Sequence, residues 1–371
     1  MIINFLIIID EKMNYYIREV QTNEGVQKTA GIKARDDVES ILSANGYHAI
    51  TVETDLEKRK KVNPVLGLYY HYDTMCKWNQ ALNKLKNGDC LIIQFPVINH
   101  TIFLKNTISK LQKKGVTVAL LIHDLETIRA SLRKNVSAKA RKRLNLEENS
   151  ILKECDYIIA HNKKMVDYLN RVLGINENKL ISLEIFDYLI PDFDKKFDST
   201  KIQKENPTII AGTLRLHKAK YVYDLPENVN FNLYGVGYEG KSEDNIEYFG
   251  SFMPDDLPFA MQGSFGLVWD GESADTCSGI YGEYLKINNP HKTSLYLASG
   301  IPVVIWKQAA LAEFITKNNC GIVVNYLSEI AEVKAKISDS DYAEMKKNVM
   351  IISQKLRSGY YLLEATKKIK K

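Results

Sequence analysis

Residues 266–307 read GLVWDGESADTCSGIYGEYLKINNPHKTSLYLASGIPVVIWK. The apolar run closed by Asp270 predicts a buried strand, and GIPVVIWK at 300–307 predicts a second one. Between them, Asn289-Pro290 marks the start of a helix, because proline fits the first helical turn, where its missing N–H has no partner to lose. A strand, a helix and a second strand in this order predict a parallel α/β unit.

The same alternation of apolar runs and helix-period stretches extends outward over the rest of the chain. Further predicted strands are NYYIREV (14–20), DCLIIQFP (89–96), VTVALLIHD (116–124), CDYIIAHN (155–162), NPTIIAGTL (206–214) and VNFNLYGVG (229–237). Helices are predicted at ARDDVESILSANGY (34–47) and TIFLKNTISKLQKKG (101–115), and near Pro290 and Ala309.

Two successive α/β series predict two Rossmann-like domains whose parallel sheets face a central cleft. We place the N-terminal, acceptor domain at residues 1–190 and the C-terminal, donor domain at 191–347, with a polar, charged linker at the junction. Residues 348–371 are predicted to form a helix that crosses back to the N-terminal domain.

Length and composition indicate an ordinary folded protein. The 371 residues are 45% hydrophobic and 26% charged, which excludes wholesale disorder and a disulfide-rich miniprotein. The net charge of +5 is too small to hold a nucleic acid backbone by itself. The five cysteines are scattered without a C-x-x-C pair, which is typical of free thiols in a reducing compartment. We therefore expect a cytoplasmic protein that binds no nucleic acid.

Membrane attachment is left open at one segment. The apolar residues 1–9 have no basic region before them and are far shorter than the ~20 residues of a spanning helix, so they predict neither an export signal nor an anchor. The run KNVSAKARKRL (134–144) is either a solvated helix face or a basic helix that lies on anionic lipid at the inner face of the cell membrane.

Residues that directly follow a strand carry the most weight, because ligands collect at the carboxyl ends of an open parallel sheet. His123 and Asp124 end VTVALLIHD, with Arg129 close behind. An imidazole beside a carboxylate could remove a proton from a substrate hydroxyl, although Asp124 could equally cap the next helix. Asp187 in IFDY is a comparable position that could line the cleft, and Thr29 lies where a loop could receive a phosphate.

The predicted helix after Pro290 points to a diphosphate site. Lys292 and Thr293 lie in its first turn, where free N–H groups and the partial positive charge of the helix favour an anion. Arg215 and Lys218 follow the strand at 206–214 and could meet the same diphosphate in place of a metal ion.

Two D-x-D strings could in principle hold a divalent cation, Asp192-Phe193-Asp194 and Asp339-Ser340-Asp341. Both lie in polar connecting segments, where acidic pairs are common, and neither follows a buried strand. We predict no metal site.

Several segments resemble the bacterial β-galactofuranosyltransferases of surface polysaccharide assembly, and more distantly the glucosyltransferases that extend GlcNAc on streptococcal adhesins. The resemblance is carried by LLIHDLETIR, AHNKKMVDYL, IFDYL, LYGVGYE and above all residues 266–315. It implies a GT-B fold and a UDP-sugar donor bound in the cleft without metal or other cofactor.

The resemblance also implies roles for individual residues. Lys292 becomes a diphosphate ligand, Thr29 a donor-loop contact and Asp124, or else His123, the base. Further UDP-sugar contacts are expected at Arg215, Lys218, Tyr234, Gly235, Asp270, Asn289 and Thr293, and Arg129 and Asp187 are expected to line the cleft or contact the acceptor.

The expected function is transfer of a hexosyl group, with galactofuranose favoured, from a UDP-sugar to a glycan that could be lipid-linked. Transfer of glucose, a catalytically silent binding subunit, and an epimerase or NAD-dependent oxidoreductase are the alternatives. The lack of a G-x-G-x-x-G fingerprint disfavours the oxidoreductase. Assembly as a homo-oligomer stays open.

Overall fold

The computed structural model describes residues 12–21, 30–54, 63–98, 102–133, 136–241 and 243–370. Its strands are β1 (Asn14–Gln21), β2 (His48–Thr54), β3 (Cys90–Phe95), β4 (Thr117–Ile122), β5 (Tyr157–Ala160), β6 (Leu180–Ser182), β7 (Thr208–Thr213), β8 (Phe231–Val236), β9 (Ile246–Tyr248), β10 (Gly266–Val268), β11 (Val303–Trp306) and β12 (Gly321–Val324). All of the predicted strands are present.

Helices cover both faces of the two sheets. They are α1 (Ala30–Ala44), α2 (Pro64–Ala81), α3 (Leu104–Lys113), α4 (Glu126–Leu132), α5 (Ala138–Leu144), α6 (Ser150–Glu154), α7 (Lys163–Arg171), α8 (Phe193–Lys196), α9 (Leu257–Ala260), α10 (Gly279–Tyr284), α11 (His291–Ala298), α12 (Ala312–Lys317), α13 (Glu329–Lys336), α14 (Asp339–Arg357) and α15 (Tyr360–Thr366).

The two sheets are parallel and differ in strand order. The first runs β2-β1-β3-β4-β5-β6 and the second β12-β11-β10-β7-β8-β9. Central strands read as continuous apolar runs, such as TVALLI in β4, because helices bury them on both faces. Strand order reverses between β1 and β3 in the first sheet and between β7 and β10 in the second. Ligands of such sheets bind at these reversal points, beyond the carboxyl ends of the strands.

One glycine permits the close approach of β7 and β8 at their carboxyl ends, one strand away from the reversal point of the second sheet. Gly235 has a φ of 150°, and a Cβ there would lie 1.7 Å from the carbonyl oxygen of Gly212 on the neighbouring strand. A side chain at position 235 would therefore push the ends of these strands apart.

The C-terminal helices differ from the sequence prediction in where they begin. α14 starts at Asp339, nine residues before the predicted start at 348, because the Ser338 side chain accepts a hydrogen bond from the backbone N–H of Asp341 and caps the helix. Gly359, with a φ of 75°, separates α14 from α15. Gly359 lies against Ile41 of α1, which brings the end of the chain onto the first sheet's helices.

Candidate functional site

Two lysines and an aspartate meet at the reversal point of the second sheet. Lys292, in α11, places its Nζ 2.8 Å from Oδ1 of Asp270, which follows β10, and 2.9 Å from the carbonyl oxygen of Trp269. Lys218, beyond β7, lies over the ring of Tyr281. Residues from separate segments of the chain, beyond β7 and between β10 and α11, therefore lie close together.

Lys218 lies among charged side chains of both signs. Burial lowers the pKa of Lys218, Lys292 and Arg129 lower it further, and Asp270 acts in the opposite direction. Lys218 therefore feels one carboxylate and two other cations. An anion bound beside Lys218 would offset the repulsion from these two cations, and the partly buried setting strengthens its attraction.

The start of α11 adds backbone donors to the same place. Pro290 precedes the helix without a side-chain hydrogen bond that caps it, and the first turn contains no acidic residue. Thr293 is fully buried in that turn, and its Oγ1 has no hydrogen-bond partner among the described residues. The free N–H groups, the helix dipole and this hydroxyl are all suited to an oxyanion.

The other expected donor contacts of the second domain have different surroundings. Arg215 is exposed and packs its Cγ against Gly237. Tyr234 is buried, stacks on Phe249 with 4.9 Å between ring centroids, and accepts a hydrogen bond from the backbone N–H of Gln262. Because this ring belongs to the core, a ligand near position 234 could meet only the backbone. Thr29 lies outside the described residues.

Asp124 and Arg129 form an ion pair at the carboxyl end of β4. Asp124 Oδ1 also accepts a hydrogen bond from the backbone N–H of Leu125, at 2.9 Å. Arg129 lies over the ring of Tyr284 from the second domain, and the Tyr284 hydroxyl contacts the N–H of Leu125. Each carboxylate oxygen of Asp124 therefore contacts a donor. Asp124 is not the N-cap residue of α4, which is Leu125.

His123 precedes Asp124 in the chain and has an uncharged side chain. Its Nε2 is 2.7 Å from Oε1 of Gln94, the last polar residue of β3. Burial lowers the pKa of His123 well below its usual value, and nearby Arg35, His291 and His161 lower it further. The imidazole is therefore uncharged at neutral pH, as a general base must be.

Phe186 joins the two domains through an aromatic stack that sequence analysis missed. Its ring stacks on His123 at 5.5 Å and on His291 at 4.8 Å, and meets His161 edge-on. Neither ring nitrogen of His291 has a hydrogen-bond partner among the described residues, although both are buried. Groups that are buried and unpaired in this way are costly unless a ligand or water satisfies them.

The side chain of Asn289 forms hydrogen bonds between the two domains and does not point into the cleft. Its amide group donates to the carbonyl oxygens of His161 and Glu184 and accepts from Asn162, while its backbone N–H donates to His161 Nδ1. These contacts use the side chain fully, so the expected contact between Asn289 and the donor would require breaking them. Its clear role in this structure is to hold the start of α11 against the first domain.

Asp187 is buried against α15 instead of lining the cleft. Its carboxylate accepts hydrogen bonds from the backbone N–H groups of Tyr361 and Leu362 in the first turn of that helix. Burial raises the pKa of Asp187 to about 7, the two hydrogen bonds act against the rise, and Asp37 adds to it. The residue therefore fastens the end of the chain to the linker between the domains.

This burial predicts that stability depends on pH through Asp187. A carboxyl group with a raised pKa stabilises the fold at acid pH, and that contribution is lost as pH rises from about 4 to about 7. We expect the free energy of unfolding to fall by ~3 kcal/mol between pH 5 and 8 from this group, and Asp187→Asn to remove that loss. Urea denaturation at both pH values measures this free energy. The same decrease between pH 5 and 8 in the variant as in the wild type would contradict the prediction.

Neither D-x-D string lies at the site. Asp192 pairs with Lys195, Asp194 pairs with Arg357, and Asp339 and Asp341 occupy the first turn of α14. Among the described residues, no group of three or more His, Cys, Asp or Glu side chains is placed to hold a metal ion.

The basic run at 134–144 includes helix α5. Contact of this helix with lipid stays a prediction. In the part of the chain that the structure describes, no helix combines the length and the apolar character needed to cross a membrane.

In comparisons with known proteins, the two halves of the chain match the two domains of one protein family. Residues 14–185 match the model "Glucosyltransferase 3-like, N-terminal domain" and residues 208–369 the corresponding C-terminal domain. The β-1,6-galactofuranosyltransferase WbbI of Escherichia coli (strain K12) is 35% identical over 350 residues, which cover 92% of this chain and 95% of that protein. Glucosyltransferase 3 of Streptococcus parasanguinis is 25% identical over 366 residues, with 94% and 96% covered.

Solved structures agree on the fold. An α-glucosyltransferase in complex with UDP and a 13-mer DNA matches with a TM-score of 0.56 at 14% identity, covering 96% of this chain and 98% of that one. Sucrose-phosphate synthase from Thermosynechococcus elongatus matches with a TM-score of 0.54 at 14% identity, with the same coverage. These likenesses confirm the predicted GT-B fold of two Rossmann-like domains.

Proposed function

The chain belongs to the glucosyltransferase 3-like family, and on that premise we propose that this glycosyltransferase moves a hexosyl group from a UDP-sugar to a hydroxyl of a glycan. The observation that carries the proposal is the cluster of Lys218, Lys292 and Arg129 at the free N-terminus of α11. It lies at the reversal point of the second sheet, next to the histidine and aspartate that follow β4.

In the proposed reaction, the diphosphate of the UDP-sugar binds at this cluster. As the bond between sugar and diphosphate breaks, negative charge grows on the leaving phosphate, and fixed cations stabilise that charge without having to reorganise. Lys292 is already held by Asp270 and the Trp269 carbonyl, so its position is set before a ligand arrives. Since Lys218, Lys292 and the N-terminus of α11 are placed to offset that charge, we propose transfer without a metal ion.

The acceptor would approach from the first domain. His123 or Asp124 takes the proton of the acceptor hydroxyl, whose oxygen attacks the anomeric carbon from the face opposite the diphosphate. Attack from that face inverts the anomeric centre.

Galactofuranose is the sugar we propose, because WbbI is described as a β-1,6-galactofuranosyltransferase and matches nearly the whole chain. Glucose is the second candidate, favoured by the more distant relative named glucosyltransferase 3. The nature of the acceptor beyond a glycan, including attachment to lipid, stays a prediction.

A transfer assay tests the proposal. Purified protein is incubated with UDP-galactofuranose or UDP-glucose, with and without glycan acceptors, in the presence of EDTA, and UDP release and product are measured. We expect acceptor-dependent release of UDP from UDP-galactofuranose that EDTA does not abolish. UDP binding without release from either donor would favour the catalytically silent subunit, and loss of activity in EDTA that Mg²⁺ restores would refute the metal-free mechanism.

A further inference from the structure

Gln94 is a buried polar side chain at the end of an otherwise apolar strand. It is 4% exposed, lies in register with Leu121 of β4, and sits one strand from His123. Its Oε1 is 2.7 Å from His123 Nε2, and the backbone N–H of His123 donates to the carbonyl oxygen of Phe95. The amide of Gln94 and the backbone of β3 therefore fix the histidine at two points.

The surroundings of the amide determine which way it faces. Its Nε2 is 3.5 Å from the carbonyl oxygen of Arg35, which can only accept, and 3.5 Å from Oε1 of Glu39, which accepts when it is ionised. Turning the amide over would place its oxygen against these two oxygens, which is electrostatically unfavourable. Oε1 therefore faces His123, and only a protonated Nε2 can donate to it. This leaves the lone pair on His123 Nδ1.

The ring has little freedom to turn away from this arrangement. It stacks on Phe186 with only 8° between the ring planes, and Phe186 is itself buried and held by a hydrogen bond from Ser294 Oγ to its carbonyl oxygen. Stacking fixes the plane of the imidazole, and the hydrogen bond from Nε2 fixes how the ring is rotated within that plane. The base proposed for the reaction would thus be aligned before substrate binds.

The charged and titratable groups around His123 keep it neutral. Arg35 acts on it from α1, His161 from the end of β5 and His291 from α11. Asp124 is its neighbour in the chain. Glu39 contacts Gln94 and not the imidazole, and Asp124 is paired with Arg129. No carboxylate among the described residues is hydrogen-bonded to the ring, so nothing there stabilises a proton on Nδ1 before the acceptor arrives.

We propose that Gln94 is a positioning residue, which holds His123 in the tautomer protonated at Nε2 and so makes Nδ1 the atom that accepts the proton of the acceptor hydroxyl. This inference rests on the proposed function and selects His123 over Asp124. In the step, the O–H bond of the acceptor breaks and its proton goes to Nδ1. The acceptor oxygen forms the new bond to the anomeric carbon, and the electron pair of the old bond leaves with UDP.

The tautomer is tested without any activity measurement. The two ring nitrogens of a neutral histidine differ in ¹⁵N chemical shift according to which carries the proton, and His123→Gln identifies the His123 signals among the seven histidines. We expect Nε2 protonated in the wild-type protein and a mixture of tautomers in Gln94→Leu. Gln112→Leu is the matched control, since Gln112 is a half-buried glutamine that bonds to Glu154 and Asp156 away from the site. Protonation at Nδ1 in the wild type would overturn the inference.

Kinetics then separate positioning from simple destabilisation. We expect Gln94→Leu to lower kcat by ~10–100-fold with the donor KM within about twofold, because general-base catalysis of ~10²–10⁴-fold is partly lost when the base is misaligned. Gln94→Glu retains an acceptor for Nε2, so it should recover most of the lost kcat. Because a carboxylate beside the imidazole favours its protonated form, the acidic limb of the pH profile should move to higher pH. Gln112→Leu should match the wild type.

The outcomes for the tautomer and for the reaction are distinguishable. If Gln94→Leu keeps the wild-type tautomer, or loses it with kcat unchanged, Gln94 is not a positioning residue. If the wild-type protein shows the expected tautomer but transfers no sugar from any UDP-sugar, the proposed function fails while the structural claim about Gln94 stands.

Discussion

Replacing Lys292 with alanine is expected to lower kcat/KM for the UDP-sugar by ~10²–10³-fold, equivalent to ~3–4 kcal/mol of transition-state stabilisation. The charge on the departing diphosphate grows as the reaction proceeds, so a lysine fixed beside it contributes more to the transition state than to the ground state. Loss of Lys292 also leaves Asp270 without its partner at 2.8 Å. That unpaired carboxylate would repel the diphosphate and add to the effect.

The matched control for this variant is Lys336→Ala. Lys336 also pairs with a carboxylate, that of Glu332, but lies exposed on α13, where such pairs contribute little. It should leave both activity and melting temperature near the wild-type values. Turnover of Lys292→Ala close to that of the control, measured by UDP release under saturating acceptor, would refute the diphosphate site.

The strands could be predicted because helices cover both faces of the sheets and make each strand an apolar run with polar ends, as in VTVALLIHD. The start of α14 was missed for a reason that is also local. Asp339 and Asp341 were read as part of a polar connection, whereas Ser338 is an N-cap and the two carboxylates favour the positive end of the helix. The capping signal was present in the sequence but was outweighed by the acidic composition.

The site was accessible to sequence analysis only up to the strand-end residues. The rule that ligands gather beyond the carboxyl ends of strands selected Lys218 and Asp270, the helix N-terminus selected Lys292, and these residues do meet in the structure. The rule gives no information on hydrogen-bond partners, which depend on how the domains pack. Asn289 and Asp187 illustrate this, since both are expected at the cleft and both are committed to bonds with backbone groups distant in sequence.

Gln94 and Phe186 were missed for complementary reasons. Gln94 gave a signal, since a single amide in a strand that is otherwise buried and apolar requires a partner. Phe186 gave none, because a phenylalanine in IFDY is typical of any core. Only the tertiary structure shows that its ring lies between a histidine of the first domain and a histidine of the second.

A comparison of His123→Gln with Asp124→Asn is expected to identify the base. His123→Gln should lower kcat by ~10²–10⁴-fold while UDP affinity stays near that of the wild type, because the only strongly altered property is the ability to accept a proton. Asp124→Asn should lower kcat by no more than about 10-fold. Its oxygens already accept hydrogen bonds from Arg129 and from the backbone of Leu125, so a substrate hydroxyl would have to compete with these donors for the carboxylate.

The exposed His48 provides the control for the first variant, since His48→Gln changes a histidine at the opposite, amino end of the first sheet. The decisive quantity is the ratio of the two kcat losses, measured under saturating donor and acceptor with UDP affinity determined separately by calorimetry. A much larger loss in Asp124→Asn would mean that Arg129 releases the carboxylate when the diphosphate binds. Arg129 would then move to the leaving group while Asp124 acts as the base, and the hydrogen bond between His123 and Gln94 would serve the packing of the cleft and not the transfer of the proton.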